Sequence, residues 1–229
     1  MSTAQAAVPT LITLRWVPDF ARGLVRDLRV RWALEEAGMA YRTELVDFEE
    51  KQLPPYRALQ PFGQVPAYRD GAVSLFESGA IVHRIASTSP ALMPADEAGR
   101  SHALAWMFAA VNSVEPAVTA LADIDLFNAD AEWARLRRPA ALNNVETKLA
   151  DLDTALAQRD YLVERFTCAD IMMATVLNIL RHTQLVAAHP KLHAYHQRCM
   201  ARPAAKKAMA DQMHLYAEQP TPDAQAVKA

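Results

Sequence analysis

The chain is poor in cysteine: its 229 residues carry two, Cys168 and Cys199. They form no Cys-x-x-Cys pair, which excludes that redox motif and fits a reduced, cytoplasmic protein. Charge of one sign is lacking as well. The 24 basic residues face 26 acidic ones for a formal net of −2. There is no basic patch to hold nucleic acid and no long acidic run to act as a solvating tail. No apolar run approaches the ~18 residues that a membrane span requires. The first nine residues have neither the positive start nor the long apolar segment of a signal peptide, so residues 1–9 and 217–229 read as flexible ends. What is abundant is apolar side chain, 52 % of the sequence, in a chain long enough for one large or two small domains.

Two kinds of pattern divide the chain. Residues 11–17 are rich in strand formers and stop at Pro18. Leu24, Leu28 and Trp32 then recur every four residues, and Gly38 supplies a helix stop. Residues 41–48 alternate as a second strand, and Pro54, Pro55 and Pro61 break the next stretch into a short helix and loops. With the hairpin and helix described below, residues 10–88 read β-α-β-α-β-β-α. Ser87, Thr88, Ser89, Pro90 and Pro94 mark a linker, after which strand signals vanish. Residues 98–122 read as helix with a kink at Pro116. Leu142, Val145, Leu149, Leu152 and Leu156 repeat at 3-4-3-4 spacing. Thr167-x-x-Asp170 is a capping-box pattern, with Phe166 and Ile171 where a hydrophobic staple lies. The second domain is therefore all-helical, over 95–216.

Residues 60–82 carry the densest information. A proline removes a ladder donor, so Val65-Pro66 belongs at a strand start. If that bond is cis, the main chain of Val65 faces outward and an extended peptide can pair with it as another strand. Asp70-Gly71 between two alternating runs is a hairpin signal. The second run stops at Glu77-Ser78, where a helix begins. The Ser78 hydroxyl and the free N–H groups of a first helical turn can hold an anion, and Glu77 can pair with a cation beside it. An α-amino acid end satisfies both. The plainer reading of the same residues is a turn, a hairpin and a helix cap.

Pro61-Phe62-Gly63-Gln64-Val65-Pro66, Asp70-Gly71 and Leu75-Phe76-Glu77-Ser78-Gly79-Ala80-Ile81 closely resemble the glutathione-binding half of the cytosolic glutathione transferases. The Phe166-Thr167-x-Ala169-Asp170-Ile171 element resembles a helix start in that family's second domain. Between them these motifs make the resemblance span nearly the whole chain, to a bacterial-type member of undefined class. It implies a thioredoxin-like α/β N-terminal domain and an all-α C-terminal domain. It also implies glutathione as cosubstrate, a small hydrophobic electrophile, peroxide or disulfide as second substrate, a homodimer and a cytoplasmic detoxification role. Carried over residue by residue, Val65 and Pro66 would present main chain to the cysteinyl part. Glu77 and Ser78 would take the γ-glutamyl end, and Gln64, with Lys51 or Gln52, would sit near the glycine carboxylate.

The departure from the family lies where the thiol is activated. Members usually place a Tyr, Ser or Cys just after the first strand, but no Tyr, Ser, Thr or Cys occurs between positions 17 and 27. A free thiol titrates near about 8.5, so it needs help to ionise at neutral pH. Arg22 and Arg26, four apart on one helix face, are the expected substitutes, with the helix N-terminus behind them and Phe20 as a wall. The alternative makes Arg22, Arg26 and Arg29 a solvated stripe. Asp19 and Asp27 are poor candidates, because negative charge opposes a thiolate. Cys168 reads as core, and Trp106, Phe108 and Val111 as core or as the lining of an apolar pocket. His189, His193 and His196 have ligand-like spacing without an acidic partner, so no metal is expected. A non-catalytic scaffold of the same fold is the competing function. A thiol-disulfide oxidoreductase using its own cysteine is weaker, since no cysteine lies at the first helix.

Overall fold

The computed structural model describes residues 8–218. Most of both expected flexible ends therefore lies outside the described residues. Of the described parts, Pro9 is buried and its carbonyl accepts from Arg42 N at 2.8 Å. Packing divides the described residues into two units, Ala86–Arg202 on one hand and residues 8–85 with 203–218 on the other.

The first unit runs β1 (Thr10–Leu14), α1 (Asp27–Glu36), β2 (Arg42–Val46), α2 (Pro54–Arg57), β3 (Ala67–Asp70), β4 (Val73–Phe76) and α3 (Ser78–Ala86). The sheet order is β2-β1-β3-β4, with β2 parallel to β1 and the other pairs antiparallel. This is the thioredoxin-like order. β1 is central and buried on both faces, which is why Leu11-Ile12-Thr13-Leu14 reads as a near-continuous apolar run. Ile12 meets Val46, Tyr56 and Ala67 in one core cluster, while Leu14 meets Val17 and Tyr216 in another.

α1 starts three residues later than the Leu24 periodicity suggests, since a turn occupies 22–26. It ends at Gly38 as the sequence implies: Gly38 has φ 63°, Gly38 N donates to Glu35 O and Met39 N to Leu34 O. That pair of bonds is a Schellman stop, and the positive φ needs glycine. The hairpin tip is shifted by one residue from Asp70-Gly71. Asp70 pairs with Val73, so Gly71 (φ 59°) and Ala72 are the loop residues. Glycine at the first loop position, followed by a residue of negative φ, fits a II′ turn rather than the I′ turn expected of Asp-Gly.

The helical unit contains α4 (Glu97–Phe108), α5 (Glu115–Phe127), α6 (Glu132–Ala155), α7 (Cys168–Leu177) and α8 (Pro190–Met200). Between α4 and α5 the turns widen to π geometry over Ala109–Val114. Pro116 sits in the first turn of α5 and has no N–H, so the kink expected there takes the form of a π segment just upstream. The run Glu97–Phe127 is apolar and long enough on composition to cross a bilayer, but α4 packs on α7 and α5 on α6. In α6, Val145, Leu149, Leu152 and the following Leu156 are buried as the spacing predicts. The capping box of α7 is complete: Thr167 Oγ1 accepts from Ala169 N, and Asp170 Oδ2 accepts from Thr167 N at 2.8 Å. Asp170 Oδ1 also takes Leu162 N and Tyr195 OH.

The last helix, α9 (Pro203–Ala217), packs on α1 and belongs to the first unit by its contacts. The sequence pattern had grouped it with the helical domain.

Candidate functional site

The site residues of the first unit sit on the turn after β1, on the segments between β2 and β3, and where β4 passes into α3. The Val65–Pro66 bond is cis. The β1–β3 ladder ends at Ile12 opposite Ala67, so Val65 stands two residues before the first paired residue of β3. It is half-buried against both core clusters, and Pro66 is buried. The loop before it is held from below, because Tyr56 OH donates to Gln64 O at 2.6 Å. Burial pushes that phenol up to about 12, so it remains a neutral donor at physiological pH.

Gln64 and Gln52 are both exposed. Gln52 accepts from Arg57 through its side-chain oxygen, and Arg57 also donates to Pro61 O at 2.6 Å. Gly63, at φ 62°, lets them approach. A Cβ there would lie 2.9 Å from Arg57 Cζ and 2.9 Å from Gln52 Oε1. Lys51 lies over the Phe48 ring at 5.2 Å, and partial burial together with Arg57 lowers its pKa. Lys51, Gln52 and Arg57 thus make a cationic and amide-bearing corner before the cis bond. Arg57 was not among the residues expected from sequence.

At the other end of the hairpin Glu77 adopts φ 66°, the one positive φ of a non-glycine among the described residues. That conformation turns the chain out of β4 and into α3, whose first bond runs from Ile81 N to Glu77 O at 3.0 Å. The Glu77 side chain is exposed and Ser78 is buried. Arg29 is buried too, 3 % exposed, and its Nη1 donates to Ser78 Oγ at 3.2 Å. This corrects the solvated-stripe alternative for Arg29. A spacing of four or seven on a helix fixes a shared face, not whether that face meets water. With its lone pair engaged by Arg29, the Ser78 hydroxyl keeps its proton to donate. A buried cation, a serine O–H and the first N–H groups of α3 converge there, a chemistry suited to a carboxylate.

The turn after β1 differs from expectation. Arg22 and Arg26 do not share a helix face: Asp19–Ala21 is a 3-10 turn, Arg22 follows it with extended dihedrals, and Arg26 precedes α1. Pro18 before it and Gly23, at φ 77°, break the helix. Arg22 pairs with Asp19 at 3.1 Å. Arg26 and Phe20 are exposed, Phe20 by 51 %. Ala21 and Val25 of this turn pack on the same Leu14, Val17 and Tyr216 cluster that Val65 meets, so the turn and Val65 are neighbours.

Other candidates separate from this site. Cys168 and Cys199 are buried, and burial pushes Cys168 up to about 12 and Cys199 higher still. Neither offers a thiolate. His189, His193 and His196 lie at the start of α8 and on it, and no group of three potential metal ligands occurs among the described residues. Trp106 borders a cavity of about 640 Å³ in the helical unit, with His102, Arg159 and Glu164 on its rim. Phe108 is exposed and Val111 half-buried in the π segment.

Comparison with known proteins places this geometry. A family model for the glutathione S-transferase N-terminal domain matches residues 21–87, and one for the C-terminal domain matches residues 132–203. The chain is 31 % identical over 217 residues to glutathione S-transferase 4 of Zea mays, covering 88 % of this chain and 92 % of that one. A theta class glutathione S-transferase from Xanthomonas axonopodis pv. citri, solved with glutathione bound, superposes with TM-score 0.73 at 30 % identity, over 88 % of this chain and 97 % of that one. A glutathione transferase from Burkholderia graminis, solved with two glutathione molecules per subunit, superposes with TM-score 0.77 at 25 % identity, over 88 % and 87 % of the two chains.

Proposed function

From the premise that this chain belongs to the glutathione S-transferase family, we propose that it binds glutathione in its first unit and joins the intact tripeptide, through its sulfur, to an electrophile. The observation that carries the proposal is the buried Arg29 guanidinium on Ser78 Oγ at the start of α3. The guanidinium beside Ser78 sets a buried positive charge next to a hydroxyl and a helix start, and charge-assisted hydrogen bonds of that kind suit the γ-glutamyl carboxylate. In this reading Ser78 donates to that carboxylate and Glu77 meets the ammonium. The main chain of Val65, before Pro66, pairs with the cysteinyl residue. Gln64, Gln52, Lys51 and Arg57 receive the glycine carboxylate.

The thiol loses its proton to solvent, the thiolate sulfur bonds to the electrophilic atom, and the leaving group departs with the bonding electron pair. Arg22 and Arg26 on the turn supply positive potential for the thiolate, and Phe20 walls it from water. The second substrate is a small hydrophobic electrophile, with peroxides and disulfides as the alternatives. We also propose a cytoplasmic homodimer with a detoxifying role. Phe62, 63 % exposed and edge-on to Phe76 at 6.2 Å, is the contact residue we propose for that association.

A non-catalytic scaffold is the second reading. It is favoured by the missing hydroxyl at positions 17–27 and by the Asp19 carboxylate already on Arg22. Calorimetry with glutathione, followed by thiolate absorbance against pH in the same sample, separates the two. Binding with a thiol pKa clearly below about 8.5 supports the enzyme. Binding with an unshifted thiol supports the scaffold, and no binding at millimolar ligand removes the site altogether.

A further inference from the structure

α9 reaches back across the sequence to the turn that the proposed chemistry uses. Gln212 is fully buried, and its single amide makes three bonds into that turn. Oε1 accepts from Gly23 N at 2.9 Å. Nε2 donates to Val25 O at 3.2 Å and to Asp27 Oδ1 at 2.5 Å. Asp27 is itself fully buried, and its other oxygen accepts from Arg31 Nε at 2.8 Å. One planar group thus ties positions 23, 25 and 27, and through Asp27 it is tied to α1. Four residues on along α9, Tyr216 packs on Leu14 and Val17, with Ala21 and Val25 against the same cluster.

We infer that Gln212 is a positioning residue for thiol activation, an inference that rests on the glutathione-transfer reading above. The main-chain bonds shaping the turn are short in sequence: Ala21 N to Pro18 O, Arg22 N to Asp19 O, and Leu24 N to Ala21 O. Such bonds shape a turn without fixing where it lies on the domain. Gly23, at φ 77°, is a place where the chain swings readily. The Gln212 amide fixes it, and Arg22 is the residue directly before. A buried side-chain amide with these three bonds made is rigid, and removing it takes away all three at once from a buried place. Gln212 touches neither glutathione nor the reacting atoms in this scheme. It acts through the position of the turn, as a supporting residue does for a catalytic group.

The test is Gln212→Met, which keeps length and approximate volume but removes the amide. Lys207→Ala serves as a control, because it removes the exposed α9–α1 bridge of Lys207 to Glu35 without touching the turn. Three quantities are read: amide exchange of Gly23 in the free protein, affinity for S-methylglutathione, and thiolate absorbance of bound glutathione against pH. The inference expects Gly23 to exchange about tenfold faster in Gln212→Met and the bound thiol pKa to rise by about one unit. It expects S-methylglutathione to bind within about twofold of wild type, and Lys207→Ala to leave the thiol pKa unchanged. Should Gln212→Met not fold, Gln212→Asn, with the amide one methylene short, is expected to show a smaller shift in the same direction. An unchanged thiol pKa in the folded variant, or an equal rise in Lys207→Ala, overturns the inference while glutathione binding stands. Failure of the wild type to bind S-methylglutathione overturns the functional reading itself, and Gly23 exchange then still reports whether Gln212 holds the turn.

Discussion

Replacing Ser78 by alanine removes one oxygen that has two roles in the proposed site, and the two can be measured apart. In the free protein the oxygen accepts from Arg29 Nη1 at 3.2 Å in a buried setting. Its loss deprives a buried guanidinium of one acceptor, a cost of about 1 kcal/mol, or about 2–4 °C in Tm for a chain of this size. In the complex the hydroxyl proton would go to the γ-glutamyl carboxylate. Hydrogen bonds to a charged partner contribute about 1.5–3 kcal/mol. Arg29 and the first amides of α3 remain to hold the carboxylate, so the lower end applies. The expected loss is about 1.5 kcal/mol, a Kd about twelvefold higher. Calorimetry with S-methylglutathione reads the affinity free of any change in thiol ionisation, and a thermal melt of the same sample reads stability. A variant that melts lower but binds within twofold of wild type would refute the argument. Arg29 and Ser78 would then form a structural bond of α1 to α3 and no part of a carboxylate site.

The remaining predictions concern reactivity, acid stability and association. Cys168, pushed up to about 12 by burial, and Cys199, pushed up further by the same cause, should resist aromatic disulfide reagents in the native protein at pH 8. Both should react at once in denaturant, and a fast-reacting native thiol would contradict the burial. In the helical unit Asp125 accepts from Arg138 Nε at 2.7 Å and Nη2 at 3.1 Å, with His182 at 3.5 Å, and these bonds hold its carboxyl below the usual range. The folded pKa is the lower one, so its stabilisation is present above the unfolded value of about 3.9 and is lost as pH falls through the folded value. Asp125→Asn should therefore cost about 1 kcal/mol at pH 7, with the gap to wild type closing in urea melts below about pH 4. Phe62→Asp should lower the mass seen by sedimentation if the exposed ring lies in a dimer contact, and an unchanged mass would remove it from that contact.

What the sequence makes legible follows from how local each signal is. The proline-led start of β3, the serine at the start of α3 and the capping box at Thr167 each depend on a few adjacent residues, whereas the sequence carries the cis geometry at Val65–Pro66 only as a condition that the structure fulfils. Position and type are therefore read together. The β-α-β-α-β-β-α order follows from alternation and helix stops of the same short range. Errors enter where geometry is decided at a distance or by single residues against a period. Leu24, Leu28 and Trp32 keep helical spacing, yet the turn bonds at Ala21 and Gly23 hold Leu24 outside α1. Arg22 and Arg26 therefore lose the shared face that spacing promised. Arg29 has the same charge and similar neighbours, but the packing of α1 against the rest of its unit buries it. No periodicity distinguishes it from an exposed arginine. Gln212 is silent in sequence because its partners lie 185 to 189 residues away.

Glu77 offers the sharpest separation of an enzyme from a scaffold, because its backbone and its side chain make independent demands. At φ 66° a residue with a Cβ is strained, by roughly 1–2 kcal/mol, and glycine is not. Glycine pays back about 0.5–1 kcal/mol in extra freedom of the unfolded chain. Glu77→Gly should then be more stable than Glu77→Ala by about 0.5–1 kcal/mol in urea melts. Both variants lack the carboxylate, so both should weaken S-methylglutathione by the same factor, roughly two- to fivefold for one exposed ion pair with an ammonium. A scaffold has no use for the carboxylate, and a glycine at this position would serve its fold better. Retaining a strained glutamate where glycine is easier therefore argues that the side chain binds something. If the glycine variant is the more stable and binds as well as wild type, the carboxylate has no ligand and the amino end of glutathione is held elsewhere. If both variants lose affinity equally while only the glycine variant gains stability over wild type, the strain at Glu77 is the cost of presenting a carboxylate to that amino end.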